Sequence, residues 1–343
     1  MTITRKKDLS IETLRGMAII LVVMGHVIGY DSTGGMKVAD DSFLRHFYFT
    51  FQYIRMPLFT AISGWVYALA AVKAGSFNTF EIKKARRILL PLLFVGGSYY
   101  ILQSIVPNTN TPNPLSEIWT LLVFPYTFYW YLYALFIVFT VVAFIDIYKL
   151  CDTVSHWLGL VAIGFIVLYI RDSVIPDYVR NVWAFKNAIY LFPYFMLGLG
   201  VKRFPEVFKT KYLLTVVSML LVAGLLLQQL AWYKIIECNL KPEGILGLSV
   251  GILGVITLLN MKFQNKQFIW IGNFAYTIYL FHSFGTSGGR ILLKAGGIHN
   301  SVAIFFISLI CGLAFPIIVE KILDKNGITR MLFLGRPMNK KGE

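Results

Sequence analysis

The sequence contains ten apolar runs, each long enough to cross the apolar core of a bilayer, which is about 30 Å thick. Only 14% of its 343 residues are charged, whereas soluble domains carry about 25%. A membrane β-barrel would show short alternating segments instead of long apolar runs. The pattern therefore predicts an all-α polytopic membrane protein with about ten transmembrane helices around a polar cavity. The runs lie near residues 9–30, 48–72, 86–106, 127–149, 156–172, 185–201, 211–231, 244–261, 267–285 and 300–323.

No spacer divides these runs and no period of 20–50 residues repeats. We expect one membrane domain over residues 1–343, with a short cytoplasmic tail at about 324–343. Basic residues precede the first run, as in a signal peptide, but Arg15 inside it and the lack of a small-residue cleavage site favour a retained helix.

Lysine and arginine are unevenly shared between alternate loops. The side with both termini receives 21 of them, including Arg5, Lys6, Lys340 and Lys341, and the other side receives nine. The positive-inside rule then places both termini in the cytoplasm. It also accounts for the net charge of +15 without nucleic acid. Three widely spaced cysteines form no ligand pattern, so no metal site is expected.

The first apolar run carries three ionisable side chains on one helical face. Arg15 and His26 are 11 residues apart, which returns to within roughly 20° of the same face and separates them by about 16 Å. Glu12 lies one turn before Arg15 on that side. Because ionisable groups at membrane depth are costly and usually functional, this face must meet other helices or a water-filled cavity.

These three residues form our candidate catalytic group. A neutral imidazole at His26 has the chemistry to take a proton from a hydroxyl. Arg15 is suited to orienting a phosphate or a developing oxyanion. The structural alternatives are a histidine that hydrogen-bonds between helices and a plain ion pair of Arg15 with Glu12.

Four further residues are candidates for substrate binding. Arg55 either snorkels to the outer surface or lines the cavity. Ser63 stands beside a glycine in a pattern typical of close helix packing. Trp130 belongs to an aromatic run typical of membrane interfaces, and His282 is again ionisable within an apolar run.

A basic cluster, Lys83-Lys84-Ala85-Arg86-Arg87, precedes the third apolar run. Such clusters are typical of the cytoplasmic ends of membrane helices, and that alternative needs no ligand. The functional hypothesis is a phosphate cradle for a nucleotide-like donor, helped by the N-terminus of the following helix. Its cofactor-binding residues would be Lys84, Arg86 and Arg87.

The segment from Leu14 to His26 resembles the signature of the acyltransferase-3 family of integral membrane O-acyltransferases. Its marker is a basic residue, ten intervening positions and a histidine, as from Arg15 to His26 here. One departure is Glu12-Thr13, where the family often has Asp-Gly. Further similarities cover nearly the whole chain: Pro57-Leu58-Phe59, Ile62-Ser63-Gly64, Lys84 to Arg87 with Pro91, Trp130-Tyr131-Leu132, and Ile278-Tyr279-Leu280 with His282.

The resemblance implies a multi-pass protein of a bacterial inner membrane. It also implies transfer of an acyl group, most often acetyl from acetyl-CoA, to a hydroxyl of O-antigen, capsule or exopolysaccharide. By position, His26 would be the essential catalytic residue with Arg15 in the same site, and Lys84 and Arg87 would serve the donor end. The implied partners are acyl-CoA, a glycan or lipid-linked sugar acceptor, and membrane lipid.

Two points stay open at the level of the sequence. His26 would act either as a general base or as a transient acyl carrier. A transporter or exporter that uses Glu12, Arg15 and His26 as an ion relay is the alternative function, although the second half of the chain shows no partner for the polar first helix. A non-catalytic partner of a polysaccharide synthase is the third hypothesis.

Overall fold

The computed structural model describes residues 7–107, 109–110, 113–176 and 178–339. All regular secondary structure in these ranges is helical, so the all-α prediction is confirmed. Arg5, Lys6, Lys340 and Lys341, which entered the charge count, lie outside the described residues. The α-helices are α1 (Leu9–Ile28), α2 (Phe43–Tyr67), α3 (Phe77–Ile105), α4 (Trp130–Ile147), α5 (Val154–Val174), α6 (Phe185–Arg203), α7 (Lys211–Trp232), α8 (Ile245–Asn260), α9 (Lys266–Asn273), α10 (Ala275–Ala295), α11 (Ser301–Leu323) and α12 (Gly327–Leu334).

Seven of these helices are long and apolar enough by themselves to cross a membrane: α1, α3, α4, α5, α6, α7 and α11. Helix α8 has 16 residues and is shorter than a usual span. Helices α2 and α10 are long enough but more polar, because they carry arginine and histidine side chains within their length. The multi-helix membrane fold is thus supported, and the count of ten spans stays a prediction.

The predicted ninth run, residues 267–285, is wrong in its boundaries. It falls on two helices, since α9 ends at Asn273 and α10 continues to Ala295. The side chain of Asn265 caps α9 by accepting hydrogen bonds from the backbone of Gln267 and Phe268. Phe274 then interrupts the helix with φ −101° and ψ 3°. Apolar composition does not reveal this break, because both sides of it are apolar.

Helix α1 lies inside the bundle, in contact with α2, α9, α10 and α11. Its close approach to α9 depends on two glycines. A Cβ at Gly16 would overlap the backbone of Phe268, and one at Gly272 would overlap the carbonyl of Glu12. Helices α2 and α6 also meet backbone to backbone, because a Cβ at Gly64 would overlap the carbonyl of Phe195. Small residues at such contacts are typical of membrane helix pairs.

The C-terminal segment packs onto the bundle. Arg330 and Leu334 of α12 are buried, and the Arg330 guanidinium donates to the carbonyls of Pro337, at 2.8 Å, and Met338. Arg336 forms a 2.6 Å ion pair with Glu320 of α11. The segment expected as a short cytoplasmic tail is therefore packed against α11, and its residues Gly335 and Pro337 line a cavity at this end of the bundle.

Candidate active site

The polar face of α1 forms as the spacing predicts. Asp8 caps the helix by accepting from the backbone of Ser10 and Ile11. One turn later the Glu12 carboxylate accepts from Arg15 Nη1 at 2.9 Å, with 8% of the Glu12 side chain and 26% of the Arg15 side chain exposed. Glu12 thus holds one terminal nitrogen of the Arg15 guanidinium, and Arg15 lines a cavity.

That cavity, here called the basic cavity, has a volume of about 630 Å³ and lies at the end of the bundle where α1 begins. No Asp or Glu lines it in the described part of the chain. The Lys84 ammonium lies 3.5 Å from the ring centroid of Phe139, and the Arg87 guanidinium 4.7 Å from that of Tyr276. Its cationic lining residues are Arg15, Lys83, Lys84, Arg86 and Arg87.

Two features of this cluster bear on what the basic cavity can bind. The Nε of Arg86 is buried with no hydrogen-bond partner within the described ranges. A Cβ at Gly335 would overlap the backbone of Arg86 and Arg87, so the C-terminal segment closes directly on the cluster. A buried donor without a partner costs free energy, and a bound anion would remove that cost.

A second cavity, here called the polar cavity, lies near the other end of α1 and has a volume of about 330 Å³. The Arg55 guanidinium stands 4.0 Å from the ring centroid of Tyr48 and donates to the Tyr48 hydroxyl. No carboxylate pairs with Arg55 among the residues described. Of the two sequence hypotheses for Arg55, the structure supports the cavity-lining one. The polar and aromatic lining comprises His26, Tyr30, Tyr48, Gln52, Arg55, Trp130, Arg171, Asn187, Tyr190, Glu243 and Tyr279.

A third cavity, here called the lateral cavity, lies between α3 and α10 and has a volume of about 430 Å³. Its lining combines apolar and polar side chains, and it reaches His26 and Phe128. The lining includes Tyr99, Leu102, Gln103, Val106, Asn110, Ser283, Ser287, Gly288, Arg290 and Leu292.

His26 borders both the polar and the lateral cavity. Both are lined by His26 and Phe128, whose ring centroids are 5.5 Å apart. The backbone on either side is buried in the helix bundle, yet the His26 side chain is exposed to the cavities. An accessible imidazole at this depth is positioned to contact a reactant from either cavity.

The ring of His282 packs against the ring of His26. It is fully buried, with its ring centroid 4.9 Å from that of His26. Its Nδ1 lies 2.8 Å from the Tyr279 carbonyl and 3.2 Å from the Ile278 carbonyl, which makes Nδ1 the protonated nitrogen. Its Nε2 is buried with no partner in the described ranges. The structure therefore places His282 beside the candidate base and outside the cavities.

The predicted residues separate into two groups. Arg15 and Ser63 line the basic cavity, whereas His26, Arg55 and Trp130 line the polar cavity. Within the described chain, Tyr279 is the residue that lines both. Its hydroxyl donates to the Phe128 carbonyl, and its ring packs 5.4 Å from Tyr131 and 6.1 Å from Phe59, centroid to centroid. We call these three rings the aromatic partition.

Several lining residues are not among the sequence candidates. Arg171 donates to Glu243 at 3.2 Å across 72 residues of sequence, and each on its own resembles an ordinary loop charge. The predicted run ends at residue 285, but α10 continues to Ala295 and buries Arg290 to 8% exposure. Tyr279 is part of an apolar run, and nothing in that run indicates that its side chain lines two cavities. Among the described residues no group of three or more His, Cys, Asp or Glu side chains is placed to hold a metal ion.

Comparison with known proteins identifies the family of this chain. Residues 8–321 match the family described as an acyltransferase domain. The chain is 27% identical over 200 residues to the nodulation protein NolL of Mesorhizobium japonicum, a match that covers 57% of this chain and 48% of NolL. The matched part thus spans about half the length of that relative. No solved structure matches. The family match, the predicted signature from Arg15 to His26 and the helical fold together show that this chain belongs to the acyltransferase-3 family of membrane acyltransferases.

Proposed function

We propose that the protein is an acyl-CoA-dependent O-acyltransferase of a bacterial inner membrane, with both termini in the cytoplasm. It moves an acyl group, acetyl in the first instance, to a hydroxyl of a surface or exported polysaccharide. The observation that carries the proposal is the position of His26, an accessible imidazole reached from two cavities and joined by one helix to a third, basic cavity.

The basic cavity fits the donor. Coenzyme A carries several phosphate groups, and the five cations of this cavity face it without a lining carboxylate in the described chain. Arginine binds phosphate through paired charge-assisted hydrogen bonds, and the unpartnered Nε of Arg86 is available for one. From Arg15 to His26 the helix rises about 16 Å, a distance that the extended pantetheine arm of the donor can span.

The polar cavity fits a hydroxyl-rich acceptor. Aromatic rings at Tyr48, Trp130 and Tyr190 provide flat apolar surfaces, and the Arg171–Glu243 pair and Asn187 provide fixed donors and acceptors. Pockets that combine apolar walls with a few placed polar groups are typical of small-molecule and sugar sites. The cavity opens toward the end of the bundle opposite the basic cluster, where an exported glycan would arrive.

Beside His26, the reaction must move one proton and replace the thioester bond of the donor with an ester bond to the acceptor. In the proposed reaction His26 takes the proton of the acceptor hydroxyl as that oxygen attacks the thioester carbonyl. The Arg55 guanidinium, which has no carboxylate partner in the described part, stabilises the negative charge that develops on the carbonyl oxygen. The imidazolium then returns its proton to the departing CoA thiolate, and the acceptor ester is complete.

The test is replacement of His26 with Ala, compared with His299→Ala as a matched control. His299 is exposed in the loop between α10 and α11 and lines none of the three cavities. We expect His26→Ala to abolish transfer of radiolabelled acetyl from acetyl-CoA to envelope glycan in isolated membranes, while the protein still inserts and binds CoA. His299→Ala should behave as wild type. Normal incorporation by His26→Ala would refute the proposal.

A further inference from the structure

The lateral cavity has no role in the reaction as described above, although it reaches His26. Its volume of about 430 Å³ exceeds that of the polar cavity and falls within the range of small-molecule sites. Because His26 and Phe128 line it as well as the polar cavity, a group held in either cavity lies beside the imidazole. The lateral cavity is therefore a candidate site for part of a reactant.

Exposed apolar side chains form one side of this cavity. Leu102 of α3 and Leu292 of α10 line it, and they are 38% and 74% exposed. Their neighbours Ile101 and Ile105 are also exposed, at 44% and 64%. Exposed leucine and isoleucine on apolar membrane helices face lipid. The opening between α3 and α10 is thus an apolar gap through which a hydrocarbon chain can leave the protein.

The inner part of the same cavity carries a buried cation. Arg290 is 8% exposed and donates to the Gly35 carbonyl at 2.6 Å. No ion pair involves it within the described ranges, and no Asp or Glu lines the cavity there. A buried charge without a counter-ion is costly. Asn110 and Ser287 add hydrogen-bonding groups to the lining, so the inner part of the cavity is complementary to an anion.

We infer that the lateral cavity binds the lipid end of the acceptor: an anionic amphiphile whose chain leaves between α3 and α10. Its negatively charged head group, a phosphate in the simplest case, pairs with Arg290, and the attached glycan enters the polar cavity past His26. This inference rests on the proposed function for the identity of His26 as the reacting group. It makes the acceptor a membrane-anchored glycan instead of a free one.

The structure offers a clean way to block this cavity. Gly288 lines it on α10, and a Cβ built there has no heavy atom within 4 Å. The Cβ of a side chain at position 288 would thus enter empty space, and Gly288→Leu places a larger apolar side chain there. Gly159 on α5 is also helical, and a Cβ built there has no heavy atom within 4 Å. It lines none of the three cavities described above, so Gly159→Leu is the matched control. Arg290→Gln removes the charge, and Arg290→Lys retains it.

The experiment measures binding of fluorescent farnesyl phosphate to the protein in nanodiscs of phosphatidylcholine, with farnesol and inorganic phosphate as competitors. Gly288→Leu should weaken binding about tenfold, as overfilling a packed site does. Arg290→Gln should weaken it roughly ten- to a hundredfold, the value of a hydrogen bond to a charged group, with partial recovery in Arg290→Lys. Gly159→Leu should match wild type. Farnesol and inorganic phosphate should compete poorly, because each lacks one half of the recognised group.

Wild-type affinity in both Gly288→Leu and Arg290→Gln overturns the inference, and so does equal affinity for farnesol. A change in the preferred acyl-CoA chain length in Gly288→Leu, with lipid binding unchanged, assigns the cavity to the donor and also overturns it. A second measurement compares acetyl transfer to a lipid-linked and to a water-soluble glycan, of which Gly288→Leu should impair only the first. The binding measurement needs no turnover, so a wild type that transfers to neither acceptor refutes the proposed function and leaves the binding result standing.

Discussion

Replacing Gly25 with Ala should disable the site through Arg55 while leaving the fold intact. Gly25 immediately precedes His26. A Cβ there would overlap Nη1 of Arg55, would stand 3.0 Å from its Cζ, and would lie at an ordinary contact distance of 3.5 Å from Tyr48 Cε2. The guanidinium must therefore retreat by about 1 Å, a displacement that costs on the order of 100-fold in rate where catalytic geometry matters. We expect kcat/KM for acetyl transfer to fall by about that factor.

Stability should change little in this variant. The clashing atoms belong to the far end of a flexible side chain, and alanine is favoured over glycine within a helix by roughly 0.5–1 kcal/mol. The assay is acetyl transfer by protein purified in detergent, with thermal unfolding measured in parallel. Gly96→Ala is the control, because Gly96 is also buried and helical but its added Cβ would meet only side chains at 3.6 Å or more.

A double-mutant cycle decides whether Arg55 transmits the effect. If it does, Gly25→Ala combined with Arg55→Gln should be no slower than Arg55→Gln alone, since both changes remove the same interaction. If the losses in kcat/KM of the two single variants add in the double variant, the alanine at position 25 acts through something other than Arg55. Wild-type activity in Gly25→Ala would refute the placement of Arg55 in the reaction.

Three further changes test other parts of the structure. Arg87→Gln should raise KM for acyl-CoA about tenfold with little change in kcat, because in the proposed function Arg87 supplies a charge that binds the donor's phosphates in the basic cavity. Glu12→Gln should lower kcat/KM several-fold, because Arg15 loses the 2.9 Å ion pair that holds its guanidinium, an effect in the range of a partly buried pair. Gly64→Ala should destabilise the protein by roughly 1–3 kcal/mol, because the added Cβ would overlap backbone of α6.

Each of these three predictions has a control variant. Exposed Lys149 lies at the same end of the bundle as the basic cavity but lines none of the cavities, so Lys149→Gln should leave the KM for acyl-CoA unchanged; an equal rise there would assign the effect to general charge. Glu12→Asp keeps the carboxylate and should recover part of the rate. For Gly64→Ala the comparison is Gly159→Ala, which has open space around it and should not lower the melting temperature.

The sequence predicts well what depends on one helix. The shared face of Glu12, Arg15 and His26 follows from helical periodicity alone, and the structure has it. Nine of the ten predicted runs each correspond to one α-helix for the same reason, since length and apolarity are local properties. The composition of the basic cavity was also within reach, because Lys83, Lys84, Arg86 and Arg87 occupy one stretch.

Contacts between segments that are far apart in the sequence could not be predicted. Helical periodicity predicts that Arg15 and His26 share one face of α1. It does not predict that Tyr279, more than 250 residues later in the chain, lines both the basic cavity and the polar cavity. The pairing of Arg171 with Glu243 joins two segments 72 residues apart. Arg290 escaped notice because glycine and serine before it lower the apolarity of α10, which ended the predicted run too early.

The aromatic partition has a consequence for the energy supply of the cell. Bacterial inner membranes store free energy as a proton gradient, and a water-filled passage through a protein would let protons flow back and dissipate it. The basic cavity and the polar cavity come from opposite ends of the bundle yet remain separate cavities, with Tyr279 held by its hydrogen bond to the Phe128 carbonyl. In the reaction proposed above, the donor would bind on one side of this partition and the acceptor on the other, and the ring of Tyr279 would limit proton leakage between the two cavities.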